Sequence, residues 1–236
     1  MSLALAHKRR IEAGGAVPVQ AVAYSPASAL DSPANAQKHL KLMESAMAVD
    51  LERISAINSR EARQQLKRDE LLPKYQDYVQ RYRDSGLNYP NPVLMQVLVW
   101  LFDTAQFEHG LELAEFAIAQ GQELPERFKR DVPTFVADEV IEWAEAEQKA
   151  GRSPEPYVSD LLPRVDGEWQ LFERIPARFH KLLGLIALDR EDWATAIGHF
   201  DRATELYPDI GVGTRRAAAE KALRRQQADE TSTGTE

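Results

Sequence analysis

The spacing of small and apolar side chains across residues 177–210 constrains the fold of this chain more than any other feature. It predicts two helices joined by a tight polar turn. Gly184 and Ala196 fall where two antiparallel helices would touch, and Phe200 is placed to fill the gap between them. Pro208 marks the end of the second helix, because proline lacks the N–H that would continue the ladder. The stretch therefore predicts a closely packed helical hairpin.

These offsets match the tetratricopeptide pattern, in which helical hairpins repeat and stack. A weaker copy lies 86 residues earlier, where Gly110 and Ala114 take the places of Ala196 and Phe200. One hairpin alone cannot bury its apolar face, so neighbouring helices must cover it. The expected fold class is all-α, with a long N-terminal helix followed by stacked helical hairpins of tetratricopeptide-like type.

Composition and chain breakers divide the sequence into four segments. Residues 1–33 are rich in Ala, Ser, Pro and Gly and are expected to form a flexible N-terminal arm. Residues 34–85 predict a long helix and a short helix. Residues 86–211 form the tetratricopeptide-like helical domain, and residues 212–236 a basic helix with a disordered tail.

The long helix is expected to run from about residue 34 to about residue 71, with Ser32 as its cap and Pro33 at its first position. Apolar residues at steps of three and four form one narrow stripe: Leu40, Met43, Met47, Leu51, Ile54 and Ile57. Such a stripe either pairs with a partner helix or lies across its own domain. Self-association is the favoured interpretation, so residues 34–85 are the expected oligomerisation region. Pro73 should interrupt the helix. A second helix then carries tyrosines that are expected to pack rather than to stack on bases: Tyr75, Tyr78 and Tyr82.

The net charge of −8 conceals an asymmetry along the chain. Residues 1–84 hold 13 basic and 10 acidic side chains, whereas residues 85–211 hold 11 basic and 23 acidic ones. Residues 212–226 return to an excess of four basic side chains. The middle of the chain would repel a polyanion and the two ends would tolerate it. Each basic end is equally compatible with an ordinary solvated helix face or tail.

Several classes of protein are excluded. Cysteine is absent, so there are no disulfides, thiolate metal sites or cysteine nucleophiles. No apolar run approaches about 18 residues, and residues 1–20 lack the apolar core of a signal peptide, so no membrane association is expected. The five histidines show no zinc spacing, and neither a P-loop nor a nucleophile elbow is present. No metal site is therefore predicted.

Carboxylates are the remaining catalytic candidates, because a metal-dependent nuclease needs several that converge on Mg²⁺. Asp138, Glu142 and Glu145 fall on one face of a predicted helix whose opposite face is an ordinary core stripe. A solvated helix surface would show the same pattern, and the sequence favours that interpretation. The weaker catalytic candidates are Asp138, Glu139 and Glu142.

Several stretches, taken together, resemble one known family. They are Glu-Leu-Leu-Pro at residues 70–73, Leu-Met-Gln-Val-Leu-Val-Trp-Leu-Phe-Asp-Thr at 94–104, Gly-Leu-Glu-Leu-Ala at 110–114, Thr-Phe-Val-Ala-Asp-Glu-Val at 134–140, Leu-Leu-Gly at 182–184 and His-Phe-Asp-Arg-Ala-Thr-Glu-Leu at 199–206. In order and spacing they look like the small terminase subunit of Peduovirus-type tailed phages, often called the terminase endonuclease subunit. The likeness covers about residues 60–210.

The resemblance implies a role in packaging viral double-stranded DNA in the host cytoplasm. Such a subunit recognises the cohesive-end site of concatemeric DNA, acts with a large terminase ATPase subunit and assembles with itself, generally as a ring. The resemblance supplies no catalytic motif, so endonuclease activity stays open. No cofactor is expected, and Mg²⁺ is needed only if cleavage is intrinsic to the chain. The alternative function is a tetratricopeptide-like protein-interaction adaptor with no DNA role.

The expected DNA contacts lie in the N-terminal third, which adds DNA binding to the role of residues 34–85. The candidates are Lys8, Arg9, Arg10, Arg60, Arg63, Lys67 and Arg68. The family resemblance implies a strongly basic C-terminal tail, whereas here the basic residues 215–225 are followed by the acidic residues 228–236. DNA contact through the far C-terminus is therefore disfavoured.

Overall fold

The structure, a computed structural model, describes residues 29–30 and 32–233, with side chains through residue 229. All regular structure in this part of the chain is helical, which confirms the all-α prediction. None of these helices combines the length and apolar character that a membrane crossing needs. The predicted arm, with Lys8, Arg9 and Arg10, lies almost wholly outside the described residues.

The helices follow one another along the chain, and the longest connection is residues 120–131. They are α1 (Pro33–Ser55), α2 (Arg60–Leu66), α3 (Leu72–Asp84), α4 (Pro92–Asp103), α5 (Phe107–Ala119), α6 (Val132–Lys149), α7 (Tyr157–Pro163), α8 (Arg174–Asp189), α9 (Trp193–Leu206) and α10 (Gly213–Thr233). Consecutive helices from α3 to α10 pack on each other, and α1 packs on α4. The contacts therefore order the helices as a stack, with α1–α3 at one end and α10 at the other.

The start of α1 is as predicted, but its length is not. The side chain of Ser32 accepts a hydrogen bond from the Asn35 N–H at 3.3 Å, and Pro33 occupies the first turn. The expectation of a helix to about residue 71 is wrong, because α1 ends at Ser55. Arg63 Nε donates to the Ile57 carbonyl at 2.5 Å, and Ser59 caps α2. These polar contacts stabilise the break because they satisfy backbone groups that a continuous helix would have paired itself.

The predicted interruption at Pro73 is also wrong. A π-helical turn over Lys67–Leu71 joins α2 to α3, and the Leu72 N–H bonds the carbonyl of Lys67, five residues back. The wider π turn removes the need for the N–H that proline lacks, so the helix continues through Pro73. Three tyrosines of α3 are buried, as expected: Tyr75, Tyr78 and Tyr82.

The apolar stripe of α1 is covered by the chain itself. Leu40 and Met47 are buried in the main core, and Met43, Leu51 and Ile54 pack against it. The interpretation of this stripe as a coiled-coil seam is therefore wrong, and the alternative, a helix lying across its own domain, is correct. Self-association stays a prediction that needs another surface.

Both predicted hairpins are present, as α4–α5 and α8–α9. In each hairpin a glycine of one helix faces a phenylalanine of the other, but the helix that carries the glycine differs. In α8–α9 the glycine, Gly184, is on the first helix and faces Phe200 on the second. In α4–α5 the glycine, Gly110, is on the second helix and faces Phe102 on the first. The two hairpins therefore reach a similar close approach with the roles of the helices exchanged.

Two stretches are more helical than expected. The three prolines of residues 153–166 predict a loop with a short turn at residues 157–161, whereas helix α7 occupies Tyr157–Pro163 and a π-helical turn follows at Arg164–Glu168. The tail was expected to be disordered after about residue 227, but α10 continues to Thr233. Extending an existing helix avoids the cost of nucleation, so composition alone underestimates such an extension.

Candidate nucleic-acid interface

Five arginines of the central body, which we define as residues 85–211, are held by its own carboxylates. The shortest separations in these ion pairs range from 2.5 to 2.8 Å: Arg130 with Asp138 and Glu139, Arg152 with Glu147, Arg164 with Glu115, Arg178 with Glu145, and Arg202 with Asp166. These cations are engaged within the protein. The acidic excess of the central body is left to face the solvent, which opposes the approach of DNA.

Helix α10 packs on α9 through one side only. Ala219 is buried on that side, and Val212 is buried just before the helix begins. Arg216 bonds Asp201 of α9, and its Nη1 also lies 2.7 Å from Glu220. The arginine that points towards the body is therefore neutralised, and it ties the first turns of α10 to the stack.

The opposite side of α10 carries a cationic helix face, which we define as Lys221, Arg224 and Arg225. At 100° per residue these three side chains point away from Ala219. All three are exposed, and they form no ion pair with any described side chain. Alanines at residues 217 and 228 lie on the same side and line the same surface groove, whose one acidic residue, Glu220, is paired with Arg216. Small neighbours let a phosphate backbone approach closely, so this face has the charge and shape of a DNA-contacting helix.

The four predicted DNA contacts on α2 and its π turn fall into two classes. Arg60 and Arg68 are exposed. Lys67 is only 12% exposed, and its Nζ lies 2.7 Å from the Asp103 carboxylate. Arg63 donates to the carbonyl of Ile57, in the connection between α1 and α2. The structure therefore leaves two of the four cations directed to solvent and uses the other two inside the fold.

The predicted catalytic carboxylates do not converge. Arg130 donates to Asp138 at 2.7 Å and to Glu139 at 2.6 Å. Burial raises the pKa of Glu139, although Arg130 acts in the opposite direction. Glu142 is exposed. Among the described residues no three His, Asp or Glu side chains are placed to hold a metal ion, so this donor set does not fit a Mg²⁺ centre.

A partly buried chain of hydrogen bonds links the last hairpin to the π turn before it. His180 Nε2 lies 3.0 Å from Asp166, and His180 Nδ1 lies 2.9 Å from His199 Nδ1. Since Asp166 only accepts, His180 carries its proton on Nε2 and receives a bond from His199 Nδ1–H. Arg202 clamps Asp166 from the other side and holds the pKa of that carboxyl below its usual range.

Burial lowers the pKa of both histidines in this chain. At His180 the Asp166 carboxylate opposes that effect. The other charged groups that act on the pair are Arg202, Glu205, Asp192 and Glu155. The two rings are therefore neutral near pH 7, and they fasten α8 to α9.

The sequence predicted the basic helix of residues 212–226 but disfavoured it as a DNA contact, and it gave no sign of the histidine chain. The charges of α10 were visible, and their spacing of three and four residues would have placed them on one face of a helix. The acidic residues 228–236 that follow are the reason why the sequence disfavoured this helix as a DNA contact. The histidine chain joins residues on three elements, and no local spacing signals it.

Comparison with known proteins points to one protein family. A family model described as phage small terminase subunit matches residues 44–174. The chain is 34% identical over 184 residues to the probable terminase, endonuclease subunit of Haemophilus phage HP1 (strain HP1c1), across 72% of this chain and 66% of that protein. It is 29% identical over 178 residues to the terminase, endonuclease subunit of Escherichia phage P2, across 75% of this chain and 72% of that protein. The match therefore spans just under two thirds of the HP1 protein. No solved structure matches the chain.

Proposed function

Since this chain belongs to the phage small terminase subunit family, we propose that it is the DNA-recognition subunit of a packaging terminase. It recognises the cohesive-end site of concatemeric viral double-stranded DNA in the host cytoplasm. It acts with a large ATPase subunit and assembles with itself, as a ring. Family membership does not favour the alternative of a protein-interaction adaptor without a DNA role.

The observation that carries this proposal is the cationic helix face of α10. Its three exposed cations stand on the side of the helix that the body does not cover, whereas Arg216 on the other side is paired. Counterions released from phosphates drive such binding, and each phosphate contact contributes about 0.9 to the salt slope for duplex DNA. The acidic central body keeps the duplex at the end of the stack.

The N-terminal end of the stack provides a second, weaker contact in this proposal. Arg60 and Arg68 are exposed there. Lys8, Arg9 and Arg10 precede them along the chain and join this contact. The two ends lie apart in the stack, so a straight duplex bound to α10 of one subunit does not reach the N-terminal end of the same subunit. The N-terminal contact is then made either by a neighbouring subunit or by a duplex that bends.

The test replaces the cationic helix face and measures DNA binding at several salt concentrations. The variant is Lys221→Ala/Arg224→Ala/Arg225→Ala, and the probe is a duplex from the cohesive-end region of the encoding phage genome. The matched control, Lys149→Ala/Arg174→Ala/Arg190→Ala, removes three exposed cations from the central body.

We expect the α10 variant to bind at least tenfold more weakly and to lose about two to three from the salt slope. The control should bind as the unmodified chain does. If both triple variants bind alike, contact through α10 is wrong and only net charge matters. If the unmodified chain binds no DNA, the recognition role itself fails.

In this proposal the acidic central body docks a basic segment of the large subunit. Its acidic excess suits such a segment by charge. Capture of the large subunit by the purified chain should weaken as salt rises. Capture that does not depend on salt would point to an apolar contact instead.

DNA cleavage is a second candidate function, because both relatives are named as endonuclease subunits. The described carboxylates offer no converged set for the metal that such cleavage would need. We therefore propose that cutting requires the assembled terminase. A cleavage assay with Mg²⁺ and without the large subunit tests this assignment.

A further inference from the structure

Helix α10 has few apolar side chains that could fix which of its sides faces the body. Alanines follow one another at residues 217, 218 and 219, and at 100° per residue they point to three different sides of the helix. Ala219 is buried, whereas Ala217 and Ala218 are exposed. Leu223 is the one larger apolar residue of the helix, and it is only partly buried. The apolar pattern therefore selects the rotational position of α10 only weakly.

Ion pairs supply the missing preference. The guanidinium of Arg216 bonds both carboxylate oxygens of Asp201 on α9, with Nη2 3.1 Å from Oδ2. Nη1 of the same guanidinium donates to Glu220, one turn further along α10, at 2.7 Å. Asp201 is the fixed point of this network, because it belongs to the preceding hairpin, whereas the other two residues turn with α10. The arginine that bonds Asp201 therefore determines which side of α10 faces the body.

The sequence offers a second arginine for the same carboxylate. Arg215 directly precedes Arg216, is exposed and forms no ion pair with a described side chain. A rotation of α10 by about 100°, with a shift of about 1.5 Å along its axis, would bring Arg215 to Asp201 in place of Arg216. Glu220 favours the observed position, because a carboxylate four residues further on supports Arg216, whereas Ala219 stands four residues after Arg215.

The rotational position decides where the cationic helix face points. In the observed position all three of its side chains point away from Ala219. In the rotated position Arg225 would point towards the body and Lys221 along its edge, so only Arg224 would stay outside. Ala218 would be covered in place of Ala219. The two positions therefore differ both in the cations offered to DNA and in the alanine that is buried.

We propose that Arg216 is a positioning residue, which with the support of Glu220 holds α10 in the rotational position that presents its cations to DNA. Arg216 does not contact DNA itself, because two carboxylates take up its guanidinium. The inference rests on the proposed function, since it concerns the same helix face, but the rotational position can be measured without DNA. Ion pairs between partly exposed side chains contribute little to global stability, so losing them turns α10 without unfolding the chain.

The first experiment measures the rotational position. The chain has no cysteine, so Ala218→Cys introduces a single thiol at an exposed residue of α10. Its rate of reaction with a maleimide is compared alone, with Arg216→Ala added and with Arg215→Ala added. Arg216→Ala should slow the reaction about fivefold or more, because the rate follows the fraction of chains whose thiol is exposed. Arg215→Ala makes the same change in charge and should leave the rate unchanged.

The second experiment measures binding of the cohesive-end duplex at several salt concentrations. Arg216→Ala should bind about three- to tenfold more weakly and lose about one to two from the salt slope, because two cations turn away from the duplex. Arg215→Ala should bind as the unmodified chain does. Asp201→Arg/Arg216→Glu restores an ion pair between α9 and α10 at the original net charge, so it should restore affinity and slope. The thermal midpoint should be the same in all of these proteins.

Several results would overturn the inference: an unchanged thiol reaction in Arg216→Ala, an equal slowing by Arg215→Ala, or a charge-reversed pair that binds as weakly as Arg216→Ala. A lower thermal midpoint of Arg216→Ala would also overturn it, because the role would then be structural. The thiol experiment separates this inference from the proposed function. If the thiol reports the rotation but the unmodified chain binds no DNA, the recognition role is wrong. If α10 binds DNA and the thiol rate does not change, only the positioning role is wrong.

Discussion

A Cβ atom built on Gly184 would lie 2.5 Å from Cε1 of the Phe200 ring. The ring is fully buried between α8 and α9, and Ala196 and Ala203 are buried on the same helix as the ring. No ordinary side-chain contact is that short. Glycine at residue 184 is therefore required by the close approach of the two helices, since it stands inside a regular helix where any other residue could adopt the backbone.

The first prediction concerns this approach. Gly184→Ala should lower the free energy of unfolding by about 1–3 kcal/mol, because the added methyl group would overlap a fully buried ring and force it to shift. The control, Gly198→Ala on α9, meets no atom within 4 Å. It should stabilise the chain by about 0.5–1 kcal/mol, because alanine is the better helix former. Urea unfolding measures both, and equal effects would mean that the close approach is not rigid.

The second prediction is a loss of stability in mild acid. The pKa values of His180 and His199 are lowered by burial, so the folded chain resists protonation of both rings. The unfolded chain takes up protons as pH falls through about 6.5. Stability is therefore complete above about pH 6.5 and declines below it, by at most about 1.4 kcal/mol per pH unit for each ring. His39, whose pKa burial also lowers, adds to the same decline.

Unfolding measured from pH 5 to pH 8 tests this effect. His199→Gln should flatten the profile, because the variant has one fewer ring to protonate. The control is His109→Gln, which removes an exposed histidine that takes no part in the bonded chain. The carboxylate of Asp166 does not interfere, since its pKa is held below the ordinary value and its contribution is lost only in stronger acid. A profile for His199→Gln as steep as the unmodified one would refute the assignment.

The third prediction distinguishes Lys67, whose role is structural, from the exposed Arg60 and Arg68, which are proposed to contact DNA. Lys67→Met should cost about 1–2 kcal/mol of stability, because it leaves the Asp103 carboxylate without its partner. Arg60→Ala/Arg68→Ala should change stability by less than about 0.5 kcal/mol, since both side chains are exposed. DNA affinity should show the reverse order, with the double variant weaker. Weaker binding by Lys67→Met alone would show that Lys67 leaves its ion pair for phosphate.

The fourth prediction concerns the predicted catalytic carboxylates. Asp138→Asn/Glu139→Gln should lower stability by about 1–3 kcal/mol, because Arg130 loses two charge-assisted partners. Glu142→Gln, at an exposed residue, should leave stability unchanged. All of these proteins should bind DNA equally. In a nicking assay with Mg²⁺ and no large subunit, we expect no cleavage by the unmodified chain. If the unmodified chain nicks DNA and these substitutions abolish the nick, the carboxylates are catalytic and this prediction is wrong.

The sequence predicted the hairpins well because the signal is local. The small residues and the ring that make α8–α9 pack closely recur at helical spacing, and the proline after α9 marks its end. The sequence failed over residues 56–73, where it showed one helical pattern and a breaking proline. A bond from Arg63 to a backbone carbonyl and a π-helical turn reversed both expectations. Those contacts depend on how the helices are placed in space, and the local spacing of residue types does not indicate them.

By itself, the sequence determined the helical class, the two hairpins and the acidic middle between basic ends, because periodicity and charge belong to each segment separately. Only the tertiary structure decided which charges remain available. Lys67 and Arg216 form ion pairs with carboxylates of other helices, whereas Lys221, Arg224 and Arg225 are exposed to solvent. The same holds for α1, where packing covers one apolar stripe and exposes Leu42 and Val49. Availability for binding depends on neighbours in space, and the fold alone supplies them.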